Sequence, residues 1–103
     1  MNEAQYKQKL CKILYEMFPG CIIHHRDSKD VQGTPDMTIF WGDAWAMLEV
    51  KISAKASHRP NQDYYVEQFA AMSFAAFIYP ENEEQVLDEL QRSLGSTRQA
   101  RVS

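Results

Sequence analysis

The sequence predicts a single α/β domain whose elements follow the order αβββαβα. Apolar residues recur at helical spacing in three segments, and four short apolar-rich runs lie among them. A length of 103 residues is that of a single domain. A composition of 45% hydrophobic and 24% charged residues is that of a globular protein and argues against disorder.

The first predicted helix spans residues 3–18. Asn2 is suited to cap its start, and Pro19 and Gly20 follow its end. Its apolar stripe consists of Tyr6, Leu10, Ile13, Leu14 and Met17. This stripe predicts that one face of the helix packs against a sheet.

Three strands are predicted next, over residues 21–25, 35–41 and 44–52. A polar loop at 26–34 separates the first two strands. The last two flank Gly-Asp at 42–43, which is a two-residue hairpin signal. We therefore expect them to pair in antiparallel fashion.

The second half of the chain begins with a polar, basic loop at residues 53–59. Pro60 suits the first position of a second helix, because proline has no N–H to lose there. Residues 74–79 form a buried strand by composition.

The last predicted helix starts at Asn82, which forms a capping-box-like pair with Gln85. Gly95 is expected to end this helix. We therefore predict a folded domain over residues 1–94 and a flexible C-terminal tail over residues 95–103.

The predicted hairpin places charged side chains together. With its turn at 42–43, Asp36 lies directly opposite Glu49, with Cβ atoms roughly 4.5–5.5 Å apart. Lys51 lies on the same face as Glu49. Two adjacent carboxylates repel each other unless a positive group joins them. That group could be a divalent cation such as Mg²⁺ or Mn²⁺, or a basic side chain that leaves only a solvated surface ion pair between Glu49 and Lys51.

Two helices direct further polar side chains toward this corner. Glu3 lies about 40° from the centre of the first helix's apolar stripe, whereas Glu16 lies about 100° away and faces solvent. Gln62 shares the apolar stripe of the second helix and needs a hydrogen-bond partner there. Glu3 could instead be an acid that favours a helix N-terminus, and Gln62 could bond within its own first turn.

Three short motifs resemble those of the PD-(D/E)XK nuclease superfamily. They are Gly-Thr-Pro-Asp at 33–36, Glu-Val-Lys at 49–51 and Arg-Pro-Asn-Gln at 59–62. Within the superfamily the match is closest to the small VRR-NUC nucleases, which are similar to Holliday junction resolvases. The resemblance implies a restriction-endonuclease-like αβββαβ core, with a mixed four-stranded sheet flanked by helices.

The resemblance also implies a metal-dependent endonuclease that hydrolyses DNA phosphodiester bonds with Mg²⁺, or with Mn²⁺ as a substitute. The metal ligands would be Asp36, Glu49, the Val50 carbonyl and Glu3. Lys51 would orient or activate the attacking water, and Gln62 would be the helix residue typical of the VRR-NUC group. Two positions depart from the family pattern, because Arg59 replaces a capping serine and Ser73 replaces a glycine before the last strand.

Two loops that flank the predicted site carry cationic side chains that could contact DNA phosphates. These residues are Arg26, Lys29, Lys55, His58 and Arg59. A basic loop that is merely solvated is the alternative. Cys21, His24 and His25 do not follow a zinc-site spacing, so we do not predict zinc.

The family resemblance implies a homodimer that acts on branched DNA such as four-way junctions, and a phage-encoded protein. Two alternatives stay open: a non-catalytic DNA-binding or interaction module with the same fold, and an endonuclease that recognises a specific duplex sequence. The net charge of −3 argues mildly against a nonspecific DNA-coating surface.

The longest weakly polar run, residues 69–79, is about half of the ~20 residues that a bilayer span needs, so no membrane association is expected. Cys11 and Cys21 have no CxxC spacing and are predicted to be free thiols in a reducing compartment. These features predict a cytoplasmic, intracellular protein, and the family resemblance implies that the cell is a bacterium or a phage-infected host.

Overall fold

A computed structural model of the chain describes residues 1–26 and 31–102, with side chains described as far as Gly95. Seven elements follow the predicted order αβββαβα. The helices are α1 (Glu3–Met17), α2 (Gln62–Met72) and α3 (Glu83–Val102). The strands are β1 (Ile22–His25), β2 (Met37–Trp41), β3 (Ala44–Val50) and β4 (Phe74–Ile78).

The four strands form one mixed sheet in the order β1-β2-β3-β4. β2 pairs antiparallel with both β1 and β3, whereas β4 pairs parallel to β3. The parallel pair is possible because α2 carries the chain back to the starting end of the sheet. The mixed four-stranded sheet flanked by helices is therefore confirmed.

The hairpin between β2 and β3 has the predicted register. Met37 pairs with Leu48 and Trp41 pairs with Ala44 across the turn, where Gly42 adopts a φ of 64°. A positive φ at the first turn residue is what a tight hairpin turn of this kind requires. Continuing the register by one step places Asp36 opposite Glu49, at the end of the strand pair.

A single hydrophobic core lies between one face of the sheet and helices α1 and α3. The buried side chains of α1 are Tyr6, Leu10 and Leu14, and those of α3 are Val86, Leu90 and Leu94. The sheet contributes Met37, Ile39, Ala46, Leu48, Val50 and Ile78. Helix α2 covers the opposite face, where Phe69 packs edge-on against Trp45 at 6.3 Å between ring centroids.

One of the two helix starts near the functional motifs differs from the sequence prediction. Helix α2 begins at Gln62 and not at Pro60, because Asn61 adopts a left-handed conformation with a φ of 71° that interrupts helical geometry. The N-cap of α1 is Asn2 as predicted, and its side chain forms a capping box with Gln5.

Helix α3 extends beyond its predicted C-terminal end. It continues through Gly95 to Val102, because a helical glycine costs only about 1 kcal/mol and no proline follows it. At the start, Asn82 directly precedes the helix, and its side chain accepts a hydrogen bond from the Tyr79 N–H and donates one to the Phe77 carbonyl. The division into a domain at 1–94 and a flexible tail at 95–103 stays a prediction.

Within residues 1–26 and 31–102, no helix is long and apolar enough to cross a bilayer. Cys11 and Cys21 are free thiols, as predicted. Cys21 is buried in the core, and Cys11 is partly exposed on α1.

Candidate active site

A polar cleft of about 240 Å³ lies where β2 begins and β3 ends. The residues that line it are Glu3, Arg26, Asp36, Glu49, Lys51, Ala56, Ser57, Arg59 and Gln62. Seven of these are site residues predicted from the sequence, and they come from α1, α2, the sheet and two loops. The fold therefore brings most of the predicted constellation together in one place.

Asp36 is fixed across the end of the hairpin by three contacts. Its Oδ2 accepts a hydrogen bond from the Val50 N–H at 2.9 Å, and its backbone carbonyl accepts one from the Arg26 N–H at 2.8 Å. Its Oδ1 lies 3.4 Å from the Nζ of Lys7. The sequence prediction missed Lys7, although its position four residues after Glu3 places both on the same face of α1.

Glu49 is the most buried carboxylate of the site, with only 3% of its surface exposed. Its Oε2 accepts a hydrogen bond from the Gln62 Nε2 at 3.0 Å, whereas its Oε1 is buried without a partner among the described residues. Burial first, and then the negative charge of Asp36, raise the pKa of Glu49 to about 8. A buried charge of this kind is costly unless a cation or a proton neutralises it.

Gln62 connects Glu49 to the loop before α2. Its Oε1 accepts a hydrogen bond from the Arg59 N–H at 2.7 Å, while its Nε2 donates to Glu49. Both expectations for this residue are therefore correct: it bonds locally at the helix start and also reaches the predicted site.

The start of α2 is held in place by a close approach of two loops. A Cβ atom on Gly33, which has a φ of +95°, would lie 2.7 Å from the Asn61 Cβ and 2.9 Å from the Pro60 carbonyl oxygen. Only glycine allows this contact without displacing a loop. The contact brings the 33–36 and 59–62 motifs side by side.

Lys51 is 6% exposed, and its Nζ donates a hydrogen bond to the Ser57 carbonyl at 3.2 Å. Its backbone N–H donates to the Ile78 carbonyl and so extends the pairing of β3 with β4. Because Glu49 and Lys51 are both buried, the alternative of a solvated surface ion pair is wrong.

The two acids of α1 are placed as predicted. Glu3 lies at the edge of the cleft, where it lines the opening although it is itself exposed. Glu16 is exposed and does not belong to the cleft lining.

The loop cations predicted to contact DNA fall into two groups. Arg26 and Arg59 line the cleft, whereas Lys55 is exposed on the following loop and lies outside the lining. His58 stacks on Phe77 with ring centroids 4.1 Å apart, and its Nδ1 lies 2.8 Å from the Asp63 Oδ1. These contacts make His58 an anchor of the loop. Lys29 lies outside the described residues.

The donor set suits a hard divalent cation. Mg²⁺ commonly takes one or two protein carboxylates and completes its shell with water and substrate phosphates. Asp36 and Glu49 supply two carboxylates, and the unpartnered Glu49 Oε1 is a free oxygen donor. In the part of the chain that the structure describes, no three His, Cys, Asp or Glu side chains form a group that could enclose a metal ion.

Comparison with known proteins bears on the fold. No family model and no curated protein matches the sequence. A solved structure described as a "VRR_NUC domain protein" superposes on this chain with a TM-score of 0.65 and 16% sequence identity, covering 92% of this chain and 89% of that chain. The chain has the VRR_NUC fold.

The resemblance seen in the sequence motifs at 33–62 is thus confirmed by an independent comparison of backbones. At 16% identity the likeness to the VRR_NUC structure concerns the fold, so the chemistry of the cleft must be argued from its own side chains.

Proposed function

We propose that this chain is a Mg²⁺-dependent endonuclease, with Mn²⁺ as an effective substitute, that hydrolyses phosphodiester bonds in DNA. The observation that carries the proposal is the convergence of Asp36, Glu49 and Lys51 in one polar cleft, with a buried oxygen of Glu49 left without a partner. Two carboxylates and a buried lysine beside an open space are suited to phosphate-ester hydrolysis assisted by a metal.

Asp36 and Glu49 would hold the metal together with the Val50 carbonyl, and Glu3 would contribute from the rim of the cleft. A bound Mg²⁺ neutralises the phosphate charge and lowers the pKa of a bound water to give a nucleophile. Asp36 is already oriented by the Val50 N–H, and Glu49 by Gln62, so neither carboxylate has to be ordered when the metal enters.

Lys51 is the residue best placed to act on the attacking water. Its Nζ is held by the Ser57 carbonyl, which fixes the ammonium group inside the cleft and still leaves it two further hydrogens to donate. There it would orient the water and stabilise the negative charge that develops on the phosphate. Gln62 would act as a positioning residue through Glu49.

Arg26 and Arg59 would bind the phosphates that flank the scissile bond. Both line the cleft, and the Arg26 Nε is buried without a partner among the described residues. Guanidinium groups are suited to this role because they can donate two parallel hydrogen bonds to a phosphate. Lys55 and Lys29 would add contacts farther along the DNA, and His58 would act by holding its loop.

The proposal extends to branched DNA and to a homodimer, both of which follow from the resemblance to junction resolvases. A feature that supports a second copy is the outer face of β1 and β2, where the cross-strand partners Ile22 and Phe40 are 66% and 45% exposed. A two-fold dimer would place two clefts on one axis and allow cuts in opposed strands of a junction.

Cleavage of linear duplex, single strand, flap and four-way junction, each with Mg²⁺ or Mn²⁺, tests these statements. Asp36→Asn should lower the rate by about 10²-fold or more on every substrate, because a metal ligand is lost. The matched control is Asp88→Asn, which makes the same change on the exposed face of α3 and should leave the rate unchanged.

Cleavage that does not respond to Asp36→Asn would contradict the proposed site. Paired cuts at the junction would support the dimer. Binding of DNA without cleavage on any substrate would favour a non-catalytic module with this fold, and cutting confined to one duplex sequence would favour a sequence-specific enzyme.

A further inference from the structure

A second groove, of about 570 Å³, lies between α1 and the end of β1. Its lining consists of Ala4, Lys7, Gln8, Cys11, Lys12 and His25. The helical members all fall on one side of α1, because they are spaced three or four residues apart. None of the described residues that line this α1–β1 groove lines the catalytic cleft.

The charge of the groove is opposite to that of the chain as a whole. The chain carries a net charge of −3. Among the described residues that line the groove, however, there are two lysines and a histidine and no carboxylate. Such a local concentration of cationic groups is complementary to a polyanion.

The groove also continues directly from the candidate active site. Lys7 lines it, and the same side chain lies 3.4 Å from the Asp36 Oδ1 in the catalytic cleft. His25 pairs with Met37, the residue after Asp36. The groove and the cleft therefore lie next to each other, with Lys7 between them.

Lys7 and Lys12 stand at the two margins of the groove lining. They are separated by about 7.5 Å along the axis of α1 and by about 140° around it. We infer that the α1–β1 groove binds the sugar-phosphate backbone of DNA on one side of the scissile bond, with Lys12 as a phosphate contact; this inference rests on the proposed nuclease function.

Lys12→Gln in the full chain tests the inference, because Lys12 lies at the end of the groove away from Asp36. The matched control is Lys9→Gln, which removes the same charge from the same helix at an exposed position outside the groove. Affinity for a labelled duplex is measured by fluorescence anisotropy in EDTA, from about 0.1 M to about 1 M salt. Loss of one phosphate contact should weaken binding about eightfold at 0.1 M relative to 1 M and flatten the salt slope by about 0.9.

Alkylation of Cys11 provides a second test, because Cys11 lines the groove whereas Cys21 is buried in the core. Duplex DNA should slow alkylation of Cys11 and leave that of Cys21 unchanged. The reaction is followed at about pH 8.5, since burial raises the pKa of the Cys11 thiol.

Equal salt slopes for Lys12→Gln and Lys9→Gln would overturn the inference, and so would an alkylation rate of Cys11 that DNA does not change. The same measurements distinguish it from the proposed catalysis. If the chain binds DNA through Lys12 but cleaves no substrate, the inferred DNA-binding role of the groove is supported and the nuclease proposal fails.

Discussion

Replacement of Glu49 by glutamine should remove a pH dependence of stability that the wild-type domain shows between pH 6 and pH 9 in the absence of metal. Burial and the charge of Asp36 raise the Glu49 pKa from 4.5 to about 8 in the folded protein. The folded state therefore holds this proton more tightly than the unfolded state does. The stabilisation that comes from this proton is fully present below pH 4.5, the Glu49 pKa in the unfolded chain, and it is lost as the pH rises through 8.

The size of the effect follows from the shift. Between pH 6 and pH 8 the folded protein keeps a proton that the unfolded chain has released, and each pH unit costs about 1.36 kcal/mol. The free energy of unfolding should fall by about 2.7 kcal/mol over this interval and level off above pH 8. For a domain of this size, that corresponds to a decrease in Tm of roughly 10–20 °C.

Thermal denaturation of wild type and Glu49→Gln in EDTA, across this pH interval, measures the effect. Glu67→Gln makes the same change at an exposed position of α2 and should keep the wild-type slope. Addition of Mg²⁺ at pH 9 should raise the Tm of wild type but not that of Glu49→Gln. Equal slopes for wild type and Glu49→Gln would refute the argument that burial of this carboxyl controls its protonation.

Two further predictions concern the contact between the loops that hold the site and the proposed dimer. Gly33→Ala should destabilise the domain by about 1–3 kcal/mol in thermal denaturation, because its Cβ would meet Asn61 at 2.7 Å. Gly20→Ala, also at positive φ but with no atom within 4 Å, should cost less, and an equal loss would disprove the steric explanation. Phe40→Ser should convert the proposed dimer to a monomer in analytical ultracentrifugation, whereas Tyr15→Ser, at an exposed position of α1, should leave the dimer intact. A wild-type protein that sediments as a monomer would contradict the proposed dimer.

Local sequence rules were sufficient for the part of the site that lies on the hairpin. A two-residue turn fixes the strand register, and the register then decides which side chains are neighbours. For this reason the positions of Asp36, Glu49 and Lys51 could be predicted without knowledge of the rest of the chain. Gln62 was found by a different rule, which is that a polar residue on an apolar stripe must have a partner.

Contacts between distant segments could not be predicted in this way. The pairing of Lys7 with Asp36 depends on how α1 lies across the sheet, which helical periodicity does not specify. The left-handed Asn61 depends on the approach of Gly33 from another loop, so proline preference alone placed the start of α2 two residues too early. At Gly95, the short-range signal for a helix end was outweighed because the residues that follow can remain helical.

The orientation of the Gln62 amide bears on which oxygen of Glu49 takes up a proton or a cation. A backbone N–H can only donate, so the Arg59 N–H fixes the Gln62 oxygen on its side and turns the amide nitrogen toward Glu49. The Glu49 Oε2 therefore accepts this hydrogen bond, which favours Oε1 as the atom that carries a proton. That is also the atom left open to a cation, so a proton and a metal ion exclude each other at one oxygen. If Mg²⁺ binds there as proposed, it would displace a proton from Glu49, and the amide of Gln62 would influence the atom from which that proton leaves.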